Sequence, residues 1–232
     1  PAGRFLTAVS ASLGAERFLR LPTLCWWIPG ESGLQILWTA GAVLSVLALL
    51  DIAPGPIFLV LWALYLSLTG VFGDFLHFQW DILLLETGFL AAFFAPWKLR
   101  PGLSRQSAPS PALLGMLRSL LFRLMFASRG VKLASGDPHW RNLTALNYHY
   151  YTQPLPTWIG WFFHQLPRPL QFFSCGMMFV IELVVPFFIF FPCRVRHTAA
   201  FIILAFQLLI LLTGNYCFFN LLACVLALMV LD

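Results

Sequence analysis

Apolar residues in this chain gather into long, even stretches at 34–50, 57–73, 82–96, 111–134, 169–191, 198–213 and 216–231. Such runs predict helices, because a membrane barrel would show ~10-residue segments of alternating polarity. Several fall short of the ~20 residues an upright spanning helix needs. Those are expected to extend into flanking polar residues or to be partly re-entrant. Pro54-Gly55-Pro56 breaks the first pair, and Gly214-Asn215 breaks the last. The expected fold is all-α: a polytopic transmembrane helical bundle of about six to eight spans. Residues 1–33 read as an amphipathic segment before the first visible span, and 34–232 as the transmembrane domain.

Composition agrees. The chain is 60% hydrophobic and only 10% charged over 232 residues, whereas soluble domains carry about 25% charged residues. Twenty-four Phe and nine Trp suit lipid contact and interfacial belts. The net charge of +5 is explained by basic loops that orient the spans, without any nucleic acid. The five cysteines have no metal-like spacing and read as packing residues. The absence of an initiator Met, and a last residue at the edge of an apolar run, suggest a piece of a longer chain.

Two loops concentrate positive charge: one with Lys98, Arg100 and Arg105, the other with Arg194 and Arg196. If both face the cytoplasm, the two spans between them place 135–168 on the opposite, luminal side. That stretch is polar and aromatic. It holds Trp140, Thr144, His149, Thr152, Gln153 and Pro154, followed by the amphipathic, Trp-rich "TWIGWFFHQLP", which fits the headgroup level. The reading is an interfacial, re-entrant element that hydrogen-bonds to nearby helix ends, with Thr152-Gln153-Pro154 as its turn. The Asn-Leu-Thr sequon at Asn142 is a possible glycosylation site on that face.

Ionisable groups inside spans cost about 2.5–3.5 kcal/mol each on insertion scales and face a bundle interior or cavity. Gln79, Asp81, Glu86, Arg123, Arg129, Lys132 and Glu182 form this candidate polar core. Depth along the spans predicts Glu86 against Arg129 or Lys132, and Arg123 against Glu182. Such pairs serve as interhelix glue or line a polar cavity. No H-E-x-x-H, G-x-S-x-G, Walker-type or C-x-x-C pattern occurs. No catalytic set, metal or cofactor is expected, and nothing sets the number of subunits.

The blocks "FQWDILLLETGFLAAFFAP" (78–96), "FRLMFASRGVKLASGDPHWRNLTALNYHYYTQPLP" (122–156), "IELVVPFFIF" (181–190) and "LLTGNYCFFN" (211–220) resemble the lipase maturation factor family. More distantly, the chain is similar to the helical membrane domain of vitamin K-dependent gamma-carboxylase and the horizontally transferred transmembrane proteins. The first resemblance implies a multi-pass protein of the endoplasmic reticulum membrane, bathed in membrane lipids, that supports folding and assembly of secreted lipases. It also implies a soluble C-terminal region, absent from this sequence. Carry-over is strongest for Gln79, Trp80, Glu86, Arg123, Lys132, Trp140, Leu143, Thr144, His149, Thr152, Gln153, Pro154, Glu182, Pro186, Gly214 and Asn215. The family usually has acidic residues where Asn147 and Tyr151 stand here, and often small residues at Ser128-Arg129. These departures weaken an acid–base role for the segment. Two readings follow: a non-enzymatic, chaperone-like scaffold, or a membrane-embedded enzyme with Lys132 or His149 as base. The packing around Lys132 separates them.

Overall fold

The computed structural model describes residues 2–102 and 108–231, so Arg105 of the first basic loop lies outside the described residues. Every regular element among the described residues is helical. Two compact units divide the chain, Pro1–Leu113 and Leu114–Asp232.

In the first unit, α1 (Ala2–Leu13) and the single turn α2 (Arg17–Arg20) precede α3 (Glu31–Leu49), α4 (Pro54–Phe72) and α5 (Gln79–Phe94). Leu6 of α1 packs with Cys25, Leu37 and Leu64 in a small apolar core. Thr23 secures the N-terminal segment to α4, its Oγ1 donating to the Ser67 carbonyl at 3.0 Å. Ser67 Oγ in turn accepts from the Leu24 amide at 3.0 Å. The turn between α3 and α4 holds Asp51 and Ala53 at positive φ, and Pro54 starts α4 where a missing N–H costs nothing. Gly55 is needed beneath the Trp97 indole, since a Cβ there would lie 2.6 Å from the ring.

The second unit contains α6 (Pro111–Ala134, which begins just ahead of it), the short helices α7 (Pro138–Arg141), α8 (Leu146–Thr152) and α9 (Trp158–His164), then α10 (Arg168–Leu183), α11 (Cys193–Thr213) and α12 (Phe219–Leu228). α10 gives way to a 3-10 segment, Val185–Phe190. Pro186 accounts for this: it has no N–H for the Glu182 carbonyl, and its ring clashes with a continuing turn. The aromatic rings of Phe187 and Phe190 then meet Phe122 of α6, with centroids 5.0 and 5.7 Å apart.

Among the described residues, five segments are long and apolar enough to cross a membrane: α3, α4, α6, Arg168–Phe190 and α11. The stretches expected at 82–96 and 216–231 form α5, of 16 residues, and α12, of 10. At 1.5 Å per residue these reach about 24 and 15 Å, less than the ~30 Å hydrocarbon layer. The protein is a polytopic helical membrane protein.

Candidate functional site

Residues 135–167 fold back over the C-terminal end of α11. A helix end leaves its last carbonyls without partners, and here side chains from α8, α9 and the turn between them supply the donors. Gln153 Nε2 donates to the Thr213 carbonyl at 3.3 Å, and Thr157 Oγ1 to the Leu212 carbonyl at 2.9 Å. Gln153 Oε1 accepts from the Asn215 amide at 3.3 Å. Thr157 also caps its own helix, accepting from the Gly160 amide at 3.0 Å. The closest approach is at buried Gly160, where a Cβ would sit 2.7 Å from the Thr213 carbonyl oxygen. A further tie joins His149 Nε2 to the Tyr216 hydroxyl at 3.0 Å, with the two rings stacked. The segment is thus polar because it completes a helix end.

α7 is set by Asp137, whose side chain accepts from the His139 amide at 2.9 Å. Thr144 Oγ1 and His139 Nδ1 pair at 3.1 Å, closing the loop into α8. Thr152 bonds its own helix, donating to the Tyr148 carbonyl at 3.0 Å. Pro154 and Asn142 are exposed. Leu146, Tyr150 and Cys175 form the core beneath the segment, flanked by Trp140, Leu143, Phe163, Met178 and Phe179. Burial first, then nearby Cys175 and Tyr216, pushes the Tyr150 hydroxyl up to about 12. Burial and then Lys132 lower the His149 pKa below its usual value, so the imidazole is kept neutral. The neutral ring can accept the Tyr216 proton.

Under this lid lies the charged centre. Glu182 of α10 faces two cations of α6, with Arg129 Nε and Lys132 Nζ each 3.4 Å from a carboxylate oxygen. Arg129 is fully buried. Its guanidinium carbon lies 3.1 Å from the Phe179 ring centre and 5.1 Å from that of Trp140. Lys132 Nζ also lies 5.1 Å from Trp140. At 3.4 Å these are long ion pairs, and the buried guanidinium also lies beside the Cys175 thiol.

The pairing predicted for Glu182 is therefore corrected. Arg129 and Lys132, expected opposite Glu86, meet Glu182; Arg123, expected opposite Glu182, is an exposed residue. The reason is angular. At 100° per residue, Arg129 and Lys132 lie about 60° apart on α6, while Arg123 is about 120° from Arg129 and some 9 Å further along the axis. Glu86 is half-buried on α5 in the first unit. There, Gln79 is exposed and Asp81 is almost fully buried. Asp81 accepts from the Tyr65 hydroxyl at 2.5 Å and from the Phe78 amide at 3.0 Å, so it joins α4 to the start of α5.

Sequence reasoning passed over Thr157, Thr213 and Tyr216, which complete the staple, and buried Gln207 and Asn220. Tyr216 and Asn220 lie in the quoted block 211–220, polar side chains at the start of the apolar stretch 216–231, a signal that could have flagged them. No group of His, Cys, Asp and Glu among the described residues could hold a metal ion.

The model of the lipase maturation factor transmembrane domain matches residues 1–232. Human lipase maturation factor 2 is 47% identical over 235 residues, covering 94% of this chain and 33% of that protein. The chicken protein of the same name is 46% identical over 241 residues, covering all of this chain and 34% of its own length. Mouse lipase maturation factor 1 is 32% identical over 213 residues, covering 90% of this chain and 37% of that protein. The chain thus spans about a third of the length of the curated relatives it matches. No solved structure matches.

Proposed function

Because the chain belongs to the lipase maturation factor family, we propose that it is the membrane part of a factor needed for the folding and assembly of secreted lipases, acting as a non-enzymatic scaffold in the endoplasmic reticulum membrane. The loops bearing Lys98, Arg100, Arg194 and Arg196 face the cytoplasm on this reading, and 135–167 faces the lumen. The observation that carries the scaffold reading is the state of the two candidate bases: Lys132 is engaged by Glu182, and His149 by Tyr216. An embedded enzyme would need one of them free in a wet cavity. The polar segment instead ties helix ends together and presents Tyr148, Tyr151, Trp158 and Trp161 outward.

Knockout with rescue tests this. Cells lacking the protein are expected to make lipase polypeptide but lose secreted lipase activity, and the intact protein should restore it. Lys132→Ala and His149→Ala variants that reach normal abundance should rescue as well. Unchanged lipase secretion in the knockout would refute the maturation role. Failure of abundant, folded Lys132→Ala would refute the scaffold reading.

A further inference from the structure

Glu182 is shared. A carboxylate that satisfied one cation would approach to about 2.7–2.9 Å, yet it stands 3.4 Å from both Arg129 and Lys132. The centre therefore holds two positive charges against one negative. The carbonyl end of α6 offsets only part of the excess. Arg129 cannot relieve it, since its side chain is fully buried against the Phe179 ring and beside the Cys175 thiol. Lys132 can, because 31% of its side chain is exposed. Neighbouring chain supplies no spare acid. From Lys132 to Arg168 the sequence has Lys132, Arg141 and Arg168 against Asp137 alone, and Asp137 already accepts from the His139 amide.

We propose that the partly exposed Lys132 side chain, backed by buried Arg129 and bordered by the Trp140 indole, is a binding site for a phosphate group. An anion seated on Lys132 would release Glu182 to close on Arg129, so that each cation gains its own partner. Lysine binds phosphate as a compact point charge. Depth also favours phosphate: Lys132 lies in the last turn of a membrane-length helix, beside an indole of the type that settles at headgroup level. The phosphate comes from a phospholipid headgroup or from free phosphate.

The test uses the protein purified in neutral detergent, with melting temperature read against inorganic phosphate, short-chain phosphatidylglycerol and short-chain phosphatidylcholine. The wild type is expected to melt higher with phosphatidylglycerol than with phosphatidylcholine, and less so as salt rises. A gain with phosphatidylglycerol but not inorganic phosphate assigns the lipid source; a gain with inorganic phosphate alone assigns free phosphate. Lys132→Gln should weaken the apparent affinity at least tenfold, Lys132→Arg should keep it, and Lys98→Gln, an exposed cation elsewhere, should not change it. Glu182→Gln removes the competing carboxylate and should tighten binding. That sign is opposite to what a merely structural defect would produce, so it stays informative even if the variant is less stable. No gain with phosphatidylglycerol or inorganic phosphate, an equal gain in Lys132→Gln, or weaker binding in Glu182→Gln would overturn the proposal.

Discussion

Two glycines in the second unit give one substitution opposite outcomes. Gly160 lies within α9 and Gly176 within α10, so replacing either by Ala should gain about 0.8–1 kcal/mol of helix propensity. At Gly176 the new methyl would meet only Leu143 Cδ1 at 3.9 Å, an ordinary contact. Gly176→Ala should therefore stabilise by up to about 1 kcal/mol. At Gly160 the methyl would lie 2.7 Å from the Thr213 carbonyl oxygen, a backbone atom fixed in the last turn of α11. Overpacking of this kind costs about 1–3 kcal/mol. Backing α9 away stretches two bonds that hold the end of α11, Gln153 to Thr213 and Thr157 to Leu212. These are worth about 0.5–1.5 kcal/mol each. Set against the propensity gain, the net loss is about 1–5 kcal/mol. Thermal melts of the two variants in one detergent, with amide exchange over 146–164 and 209–216, measure both. A Gly160→Ala protein as stable as wild type, with unchanged exchange in those segments, would refute the close docking of the polar segment on α11.

Glu182→Ala strands two cations, one wholly buried, and should cost about 3–5 kcal/mol; steady-state abundance and melting check it, and near-wild-type stability would contradict the shared ion pair. Because burial lowers the His149 pKa, the folded protein binds fewer protons there than the unfolded chain. That stability is complete above the unfolded value of about 6.5 and is lost as pH falls below it. Melting should decline between about pH 7 and 5, and His149→Gln should flatten the decline; an identical slope in the variant would count against the assignment. Asp81→Ala removes the carboxylate that accepts from the Phe78 amide and the Tyr65 hydroxyl, joining α4 to α5, and should cost about 1–3 kcal/mol, whereas Tyr65→Phe should cost less, both read by chemical unfolding.

Hydropathy alone determined that the chain is helical and membrane-embedded and that Pro54-Gly55-Pro56 would separate the first pair of spans, whereas the break at Pro186 lay unread inside the stretch 169–191. These are local properties, set by a few consecutive side chains and by the cost of an unsatisfied backbone in lipid. The expectation that the stretch 135–168 bonds to helix ends was also legible, since so many donors between apolar runs need acceptors. Only the tertiary structure decided which ends: His149 and Tyr216 are 67 residues apart, and Thr157 and Leu212 are 55. It also decided which cations Glu182 meets. In a soluble helix the apolar stripe reveals the buried face. Here lipid-facing and core-facing sides are equally apolar, so periodicity carries little information about helix rotation. Axial depth could be counted from the sequence and suggested Arg123 for Glu182. The rotation that turned Arg129 and Lys132 inward instead came from packing, through Phe179, Trp140 and the fold of residues 135–167 over the end of α11.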